Sequence, residues 1–234
     1  MERELLELKD LDSLLRERPS GASEAVEVEI GCGNGHFLVE YARTRPDHVL
    51  LGIDRKKRRC QKALSKANRR NLTNVFIIYG RAEELTARLP PASVEAYHIY
   101  FPDPWPKSKH RRRRFFRMPQ VEMLHRTLKV EGSVYFCTDF FDYYLQARVL
   151  LALHGGFTLH DRPPGADICQ SLFGKRYLSQ GKSVHFTAGS KSGPRRAAGR
   201  IDGLSADQVA QRQEHQEEIG HHGQGEEQGG VDLV

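Results

Sequence analysis

Between residues 26 and 54 a short apolar run, a glycine-dense turn, a helical stretch, a second apolar run and an acid follow one another, and few folds accept that order. Val26-Glu27-Val28-Glu29-Ile30 reads as a strand. It runs into Gly31-Cys32-Gly33-Asn34-Gly35, and a helix from His36 to Arg43 is expected next. A second strand, Val49-Leu50-Leu51-Gly52-Ile53, ends at Asp54. Glycines after a strand let the chain turn tightly and let a ligand approach the backbone, while the following helix offers unpaired N–H groups. A strand, turn, helix and strand of this kind open a doubly wound α/β sheet, in which ligands bind at the carboxyl ends of the strands.

The details narrow the ligand. The glycines are spaced G-x-G-x-G, at Gly31, Gly33 and Gly35, and not G-x-G-x-x-G as expected for a dinucleotide pyrophosphate. Glu29 stands two residues before the first glycine, where it would repel a pyrophosphate and attract an ammonium. Asp54, at the end of the second strand, is placed for a ribose hydroxyl pair. The combination favours S-adenosylmethionine, with its ribose, its amino-acid ammonium and no phosphate, over a nicotinamide dinucleotide. A structural turn beside a solvated glutamate is the alternative for the glycine run alone.

A second stretch carries the other half of the chemistry. The aromatic, apolar run Val94 to Phe101 reads as a buried strand and stops at Pro102-Asp103-Pro104-Trp105-Pro106, followed by Lys107-Ser108-Lys109-His110 and Arg111 to Arg114. The three prolines cannot donate ladder hydrogen bonds, so pairing ends and the backbone stays extended. Asp103 and Trp105 are thereby presented at a strand's carboxyl end beside a phosphate-attracting run, which suits a nucleic-acid base. By itself the stretch reads equally as a rigid turn before a solvated charged face. Trp105 reads as a base-stacking ring or as loop packing.

The remaining elements fill the same pattern. Leu5, Leu8, Leu11 and Leu15 imply an amphipathic helix over residues 2–17, ended by Pro19-Ser20-Gly21. Residues 55–70 read as a basic helix with Cys60, Ala63, Leu64 and Ala67 inward, its charges a solvated face. Asn74 to Tyr79 is the third strand, and Arg81 lies just past its end, where an adenine ring would sit. A helix from Phe116 to Leu128, a turn at Glu131-Gly132 and a fifth strand from Ser133 to Cys137 lead to Thr138-Asp139. A helix from Asp142 to Leu153 stops at Gly155-Gly156. Phe157 to His160 and Val184 to Thr187 are the last two strands. Beyond them Gly, Gln, Glu, Arg and His dominate with no sustained period, and the tail 188–234 reads as disordered.

Composition sets the outer bounds. Lys and Arg number 36 against 30 acids, a formal net charge of +6, and the clustering of that charge matters more than the sum. The four cysteines, Cys32, Cys60, Cys137 and Cys169, are scattered and form no C-x-x-C, which suggests a reducing compartment, no disulfide framework and no metal site. No window approaches the roughly 18 apolar residues of a membrane span, and the first residues lack the order of a signal peptide. A cytoplasmic protein without membrane attachment is expected.

Taken together, Glu29-Ile30-Gly31-Cys32-Gly33-Asn34-Gly35, Phe101-Pro102-Asp103-Pro104-Trp105-Pro106-Lys107, His110 with its arginines, Thr138-Asp139 and the segment from Ser171 to Gly181 resemble the bacterial tRNA (guanine-N7-)-methyltransferase family over roughly residues 25–187. The resemblance implies a Rossmann-like class I methyltransferase, a doubly wound, mostly parallel seven-stranded sheet with helices on both faces. Residues 1–24 would form an N-terminal helix and linker. It implies methyl transfer from S-adenosylmethionine to a guanine in the tRNA variable loop, with no metal and no obligatory protein partner. Asp103 would then be the catalytic acid. Glu29, Gly31, Gly33, Gly35, Asp54, Arg81 and Asp103 would form the cofactor set, and Lys107, Asp139, Ser171, Phe173 and Gly174 would contact substrate. Gly174 replaces a family glutamate, and Arg81 replaces an Asp or Asn near the adenine amino group. Because arginine cannot accept a hydrogen bond, the neighbouring backbone would serve there. A methyltransferase for another RNA and a non-catalytic tRNA-binding subunit are the alternative readings.

Overall fold

The computed structural model describes residues 4–16, 25–161 and 183–193, all within one compact unit, Met1–Ala197. Among these residues eight strands form one sheet: β1 (Leu6–Glu7), β2 (Val26–Ile30), β3 (Val49–Asp54), β4 (Val75–Tyr79), β5 (Val94–Tyr100), β6 (Leu128–Thr138), β7 (Phe157–His160) and β8 (His185–Lys191). Their order across the sheet is β1-β4-β3-β2-β5-β6-β8-β7. All neighbours are parallel except β8, which runs antiparallel to β6 and β7. The chain leaves β2 towards β3 and β4, then returns to place β5 on the other side of β2. The carboxyl ends of β2 and β5 are therefore the switch point at which an open α/β sheet binds its ligand.

Among the described residues six helices accompany the sheet: α1 (Leu11–Arg16), α2 (His36–Arg43), α3 (Lys57–Arg69), α4 (Ala82–Arg88), α5 (Met118–Thr127) and α6 (Phe141–His154). Period-two alternation in the central strands sends side chains to two cores. Val49, Leu51, Ile53, Phe76 and Ile78 pack with Leu85, Leu124, Tyr143 and Leu151 of α4, α5 and α6. Leu50, Val75 and Ile77 pack on the other face with Leu38, Cys60, Ala63 and Ala67 of α2 and α3. The inward residues expected of the basic helix are thus the ones that α3 buries, apart from half-buried Leu64.

Three expectations are corrected. The N-terminal leucines do not form one helix. Leu6 and Glu7 add an eighth, edge strand on β4, pairing Leu6 with Ile78 and Glu7 with Tyr79. A 3-10 turn at Leu8–Asp10 follows, and α1 begins only at Leu11. The open edge of β4 offers backbone partners that helical spacing cannot reveal. The side chain of Leu8 lies on Gly80, where a Cβ would come within 2.8 Å of it.

Glu131-Gly132 is not a turn ahead of β6, which already begins at Leu128. The strand passes through both residues over an irregularity, with Glu131 at φ 67° and a register shift opposite Val94 and Ala96. Finally, β8 runs to Lys191, past the expected boundary at Thr187, because its pairs with β6 reach Ser190 and its pairs with β7 reach Lys191.

Candidate active site

At the switch point the carboxyl ends of β2, β3, β4 and β5 surround a cavity of about 760 Å³. Gly31, Asp54, Arg81 and Asp103 all line it. Residues remote in sequence are brought together as their strand-end positions suggested.

The glycine turn has a division of labour. Gly31 is exposed at φ 77°, and a Cβ there would meet nothing within 4 Å. Its openness belongs to the cavity. The N–H of Gly33 donates to Oδ2 of Asp54 at 3.1 Å, and the N–H of Lys56 donates to Oδ1 at 2.8 Å. These bonds fix the Asp54 carboxylate and leave each oxygen a further lone pair. Gly35, by contrast, is buried at φ 69°, at the start of α2, and a Cβ would sit 2.7 Å from that of Ala63. It is absent from the cavity wall and serves the packing of α2 on α3.

Glu29 does not line this cavity and is buried, only 5% exposed. Burial pushes its carboxyl up to about 8, outweighing a backbone hydrogen bond from Leu38, and nearby Asp54 adds to the rise. Its Oε2 has no hydrogen-bond partner among the described residues. A buried carboxylate held so far from its ordinary value suits a cationic partner.

On the β5 side, Phe101 and Trp105 both take left-handed backbone conformations, at φ 49° and 43°. They bracket Pro102-Asp103-Pro104 and bend the loop back over the cavity. Asp103 keeps 67% of its side chain in solvent and meets Arg55 Nη2 at 3.4 Å. Trp105 carries the Arg113 guanidinium 4.8 Å from its ring centroid, and His110 stands edge-on to it.

The arginine run is not a uniform charged face. Arg111, Arg112 and Arg113 are exposed on a 3-10 turn, Ser108–Arg113. Arg114 is buried. Its Nε donates to the Pro104 carbonyl at 2.8 Å, Nη1 to Gln146 Oε1 at 2.6 Å, and Nη2 to the Trp105 carbonyl at 3.5 Å. Its guanidinium lies 4.8 Å from the Tyr143 ring centroid. The fork of one arginine therefore fastens the Asp103 loop to α6. The expectation that all four arginines face phosphates is corrected for Arg114.

Arg81 is exposed at the start of α4 and leans towards Glu83 and Glu84, 3.6 Å and 4.0 Å away. Lys107 and Asp139 are exposed, one before the 3-10 turn and one after β6, and neither lines the cavity. Ser171, Phe173 and Gly174 fall outside the described residues.

Sequence reasoning missed a second polar centre. Glu27, also on β2, contacts His98 Nε2 at 2.6 Å and His48 Nδ1 at 2.5 Å. His98 Nδ1 continues to the Tyr100 hydroxyl at 3.0 Å. Burial pushes the Glu27 carboxyl up, but hydrogen bonds and charge from the two histidines outweigh it and hold the group below its ordinary value. The signal was a strand with two glutamates on one face at the centre of a sheet covered on both sides.

Known proteins resemble the chain in sequence and in fold. A family model described as "Putative methyltransferase" matches residues 23–185. A tRNA (guanine-N(7)-)-methyltransferase of Roseobacter denitrificans is 32% identical over 183 residues, covering 76% of each chain. One from Nitrosococcus oceani is 37% identical over 131 residues, and the chain spans 56% of its length. Among solved structures, the 16S rRNA methyltransferase KamB has a TM-score of 0.56 at 16% identity, covering 82% of this chain and 96% of that one. The aminoglycoside resistance methyltransferase NpmB1 reaches 0.54 at 18%, over 78% of this chain and 92% of its own. At such identities the structural likeness establishes the fold alone. The sequence relatives and the family model go further: the chain belongs to the tRNA (guanine-N(7)-)-methyltransferase family.

Proposed function

We propose that this protein transfers a methyl group from S-adenosylmethionine to N7 of a guanine in the variable loop of tRNA. The observation that carries the reading is the meeting, in one cavity, of the glycine turn and Asp54 with Asp103 and an arginine-bearing loop.

The residues fit this cofactor. Unpartnered Glu29 Oε2 suits the amino-acid ammonium. Asp54, held by two backbone donors, keeps acceptor capacity for ribose hydroxyls. Gly31 leaves the backbone open to close approach. Arg81 does not suit an adenine amino group. Its carbonyl accepts from Glu84 and Leu85, while the N–H groups of Ala82 and Glu83 begin α4 without intrahelical partners. These backbone donors suit adenine ring nitrogens in its place.

When bound, the cofactor supplies an electrophilic methyl on a sulfonium. Guanine N7 bears an in-plane lone pair at neutral pH, so no general base is required. The protein's contribution is alignment and exclusion of water. Asp103 accepts from the guanine N1–H and amino group and offsets the positive charge that develops on the ring. Arg114 holds the loop that carries Asp103, and Lys107, Asp139 and the exposed arginines receive the RNA.

The deciding experiment measures transfer of labelled methyl to unmodified tRNA transcripts carrying guanine or adenine at the variable-loop target. Label in the guanine transcript alone is expected. Label in both would reject the target, and label in neither, with cofactor bound, would reject the substrate.

A further inference from the structure

The cavity is more cationic than its cofactor needs. Arg55, Lys56 and Arg59 line it from the β3 side, and Arg112, Arg113 and Arg117 from the β5 side. The β5-side cations follow from the reading of the arginine run. Those on the β3 side do not, because S-adenosylmethionine has no phosphate and carries positive charge of its own. Arg59 Nη1 lies 4.0 Å from Asp54 Oδ2, while Arg55 and Lys56 stay exposed. Arg55 and Arg59 keep 62% and 49% of their side chains in solvent, and α3 opens with Lys57, Arg58 and Arg59 where its peptide dipoles disfavour positive charge.

Strand order gives these cations a geometry. β2 lies between β3 and β5, so the contact between Arg55 and Asp103 crosses the carboxyl end of β2, where the glycine turn begins. A guanine that takes the Asp103 carboxylate takes it from Arg55 and leaves that guanidinium for another anion.

We propose that the tRNA backbone spans this mouth, with phosphates on Arg55 and Lys56 as well as on the β5-side arginines, so that bound tRNA covers the cofactor and the cofactor enters first. The inference rests on the tRNA reading above and adds a second phosphate track to it. Unlike the arginine run, this track borders the ribose-binding end of the cavity. Its occupation couples the two ligands by order rather than by a change of shape.

The test compares tRNA binding across a salt series for the wild type, Arg55→Ser/Lys56→Ser and Arg112→Ser/Arg113→Ser. Loss of two phosphate contacts lowers the slope of log K against log salt by about 1.5. Both double variants are expected to show that drop, with affinity for S-adenosylhomocysteine unchanged by calorimetry in the β3-side variant. Stopped-flow uptake of the cofactor should be at least about tenfold slower into a preformed tRNA complex than into free enzyme. An unchanged slope in the β3-side variant beside a reduced slope in the β5-side variant overturns the inference and leaves the tRNA reading standing. Equal uptake rates overturn the covering. A wild type that binds no tRNA overturns both.

Discussion

Nη2 of Arg114 lies 2.7 Å from Oδ2 of Asp142, with the Arg114 side chain wholly removed from solvent and that of Asp142 41% exposed. The same Asp142 meets exposed Arg111 at 3.0 Å through its other oxygen. One carboxylate at the start of α6 thus ties together an interior and a surface arginine, and the Asp103 loop hangs from the interior one.

Arg114→Met should therefore destabilise the fold and misplace the loop. Two carbonyls lose their donor, and Asp142, being partly solvated, recovers some hydration. A loss of about 2–4 kcal/mol is expected in urea unfolding. Turnover should fall about 100-fold under conditions where the variant is folded, from loop misplacement alone. Arg114→Lys keeps the charge without the fork and should fall between. Wild-type turnover in a folded Arg114→Met variant would show that the loop holds its shape unaided.

Asp103 is exposed and carries little of the packing, so its substitutions report on chemistry. Asp103→Ala should lower kcat by about 100-fold or more with an unchanged melting temperature. Asp103→Asn keeps the size and exchanges charge for a mixed donor and acceptor. An asparagine variant as slow as alanine assigns the effect to charge, and near-normal turnover in both would remove Asp103 from the reaction.

Glu29 should make cofactor binding pH-dependent. Its folded value of about 8 stands above the ordinary 4.5. Between those values the unfolded chain holds fewer protons, so this group's contribution to stability falls as pH rises through the window. Glu29→Gln should remove that slope and stabilise the ligand-free protein above pH 8. Pairing with an ammonium requires the ionised carboxylate. Binding at pH 7 should accordingly release a proton, seen as a calorimetric enthalpy that changes with buffer, and affinity should rise towards pH 8. A buffer-independent enthalpy would mean that Glu29 is already ionised or makes no such contact.

The glycines of the turn should separate under substitution to alanine. At Gly35 the new Cβ collides with Ala63 and the backbone is left-handed, so stability should drop by about 2–4 kcal/mol. At Gly31 only the backbone strain applies, about 1–2 kcal/mol, and the methyl borders the cavity. Cofactor affinity should suffer more than stability there. Thermal melts and calorimetry on both variants check the contrast.

Much of this was legible because it is local. A glycine run after a strand, acids at strand ends and prolines that stop a ladder each declare themselves within a few residues. The pairing of Leu6 and Glu7 with β4 depends on residues about 70 positions away, and a leucine period cannot signal it. Nothing within the short strand Val26–Ile30 sets Glu27 apart as a buried group. It is buried because α2 covers that face and because His48 and His98 arrive from two other segments. Arg114 was hidden by its neighbours, since four identical residues give no hint that one of them turns inward.

That last point governs how the run can be altered. Neutralising residues 111–114 as a block would remove surface cations and a structural tether at once, and lost activity could not be assigned to either. A one-residue insertion between Trp105 and Arg111 would preserve the composition of the run while bringing Arg113 to the interior position, and a deletion there would bring Phe115. The chain should tolerate drift in the amount of charge here far better than drift in its phase.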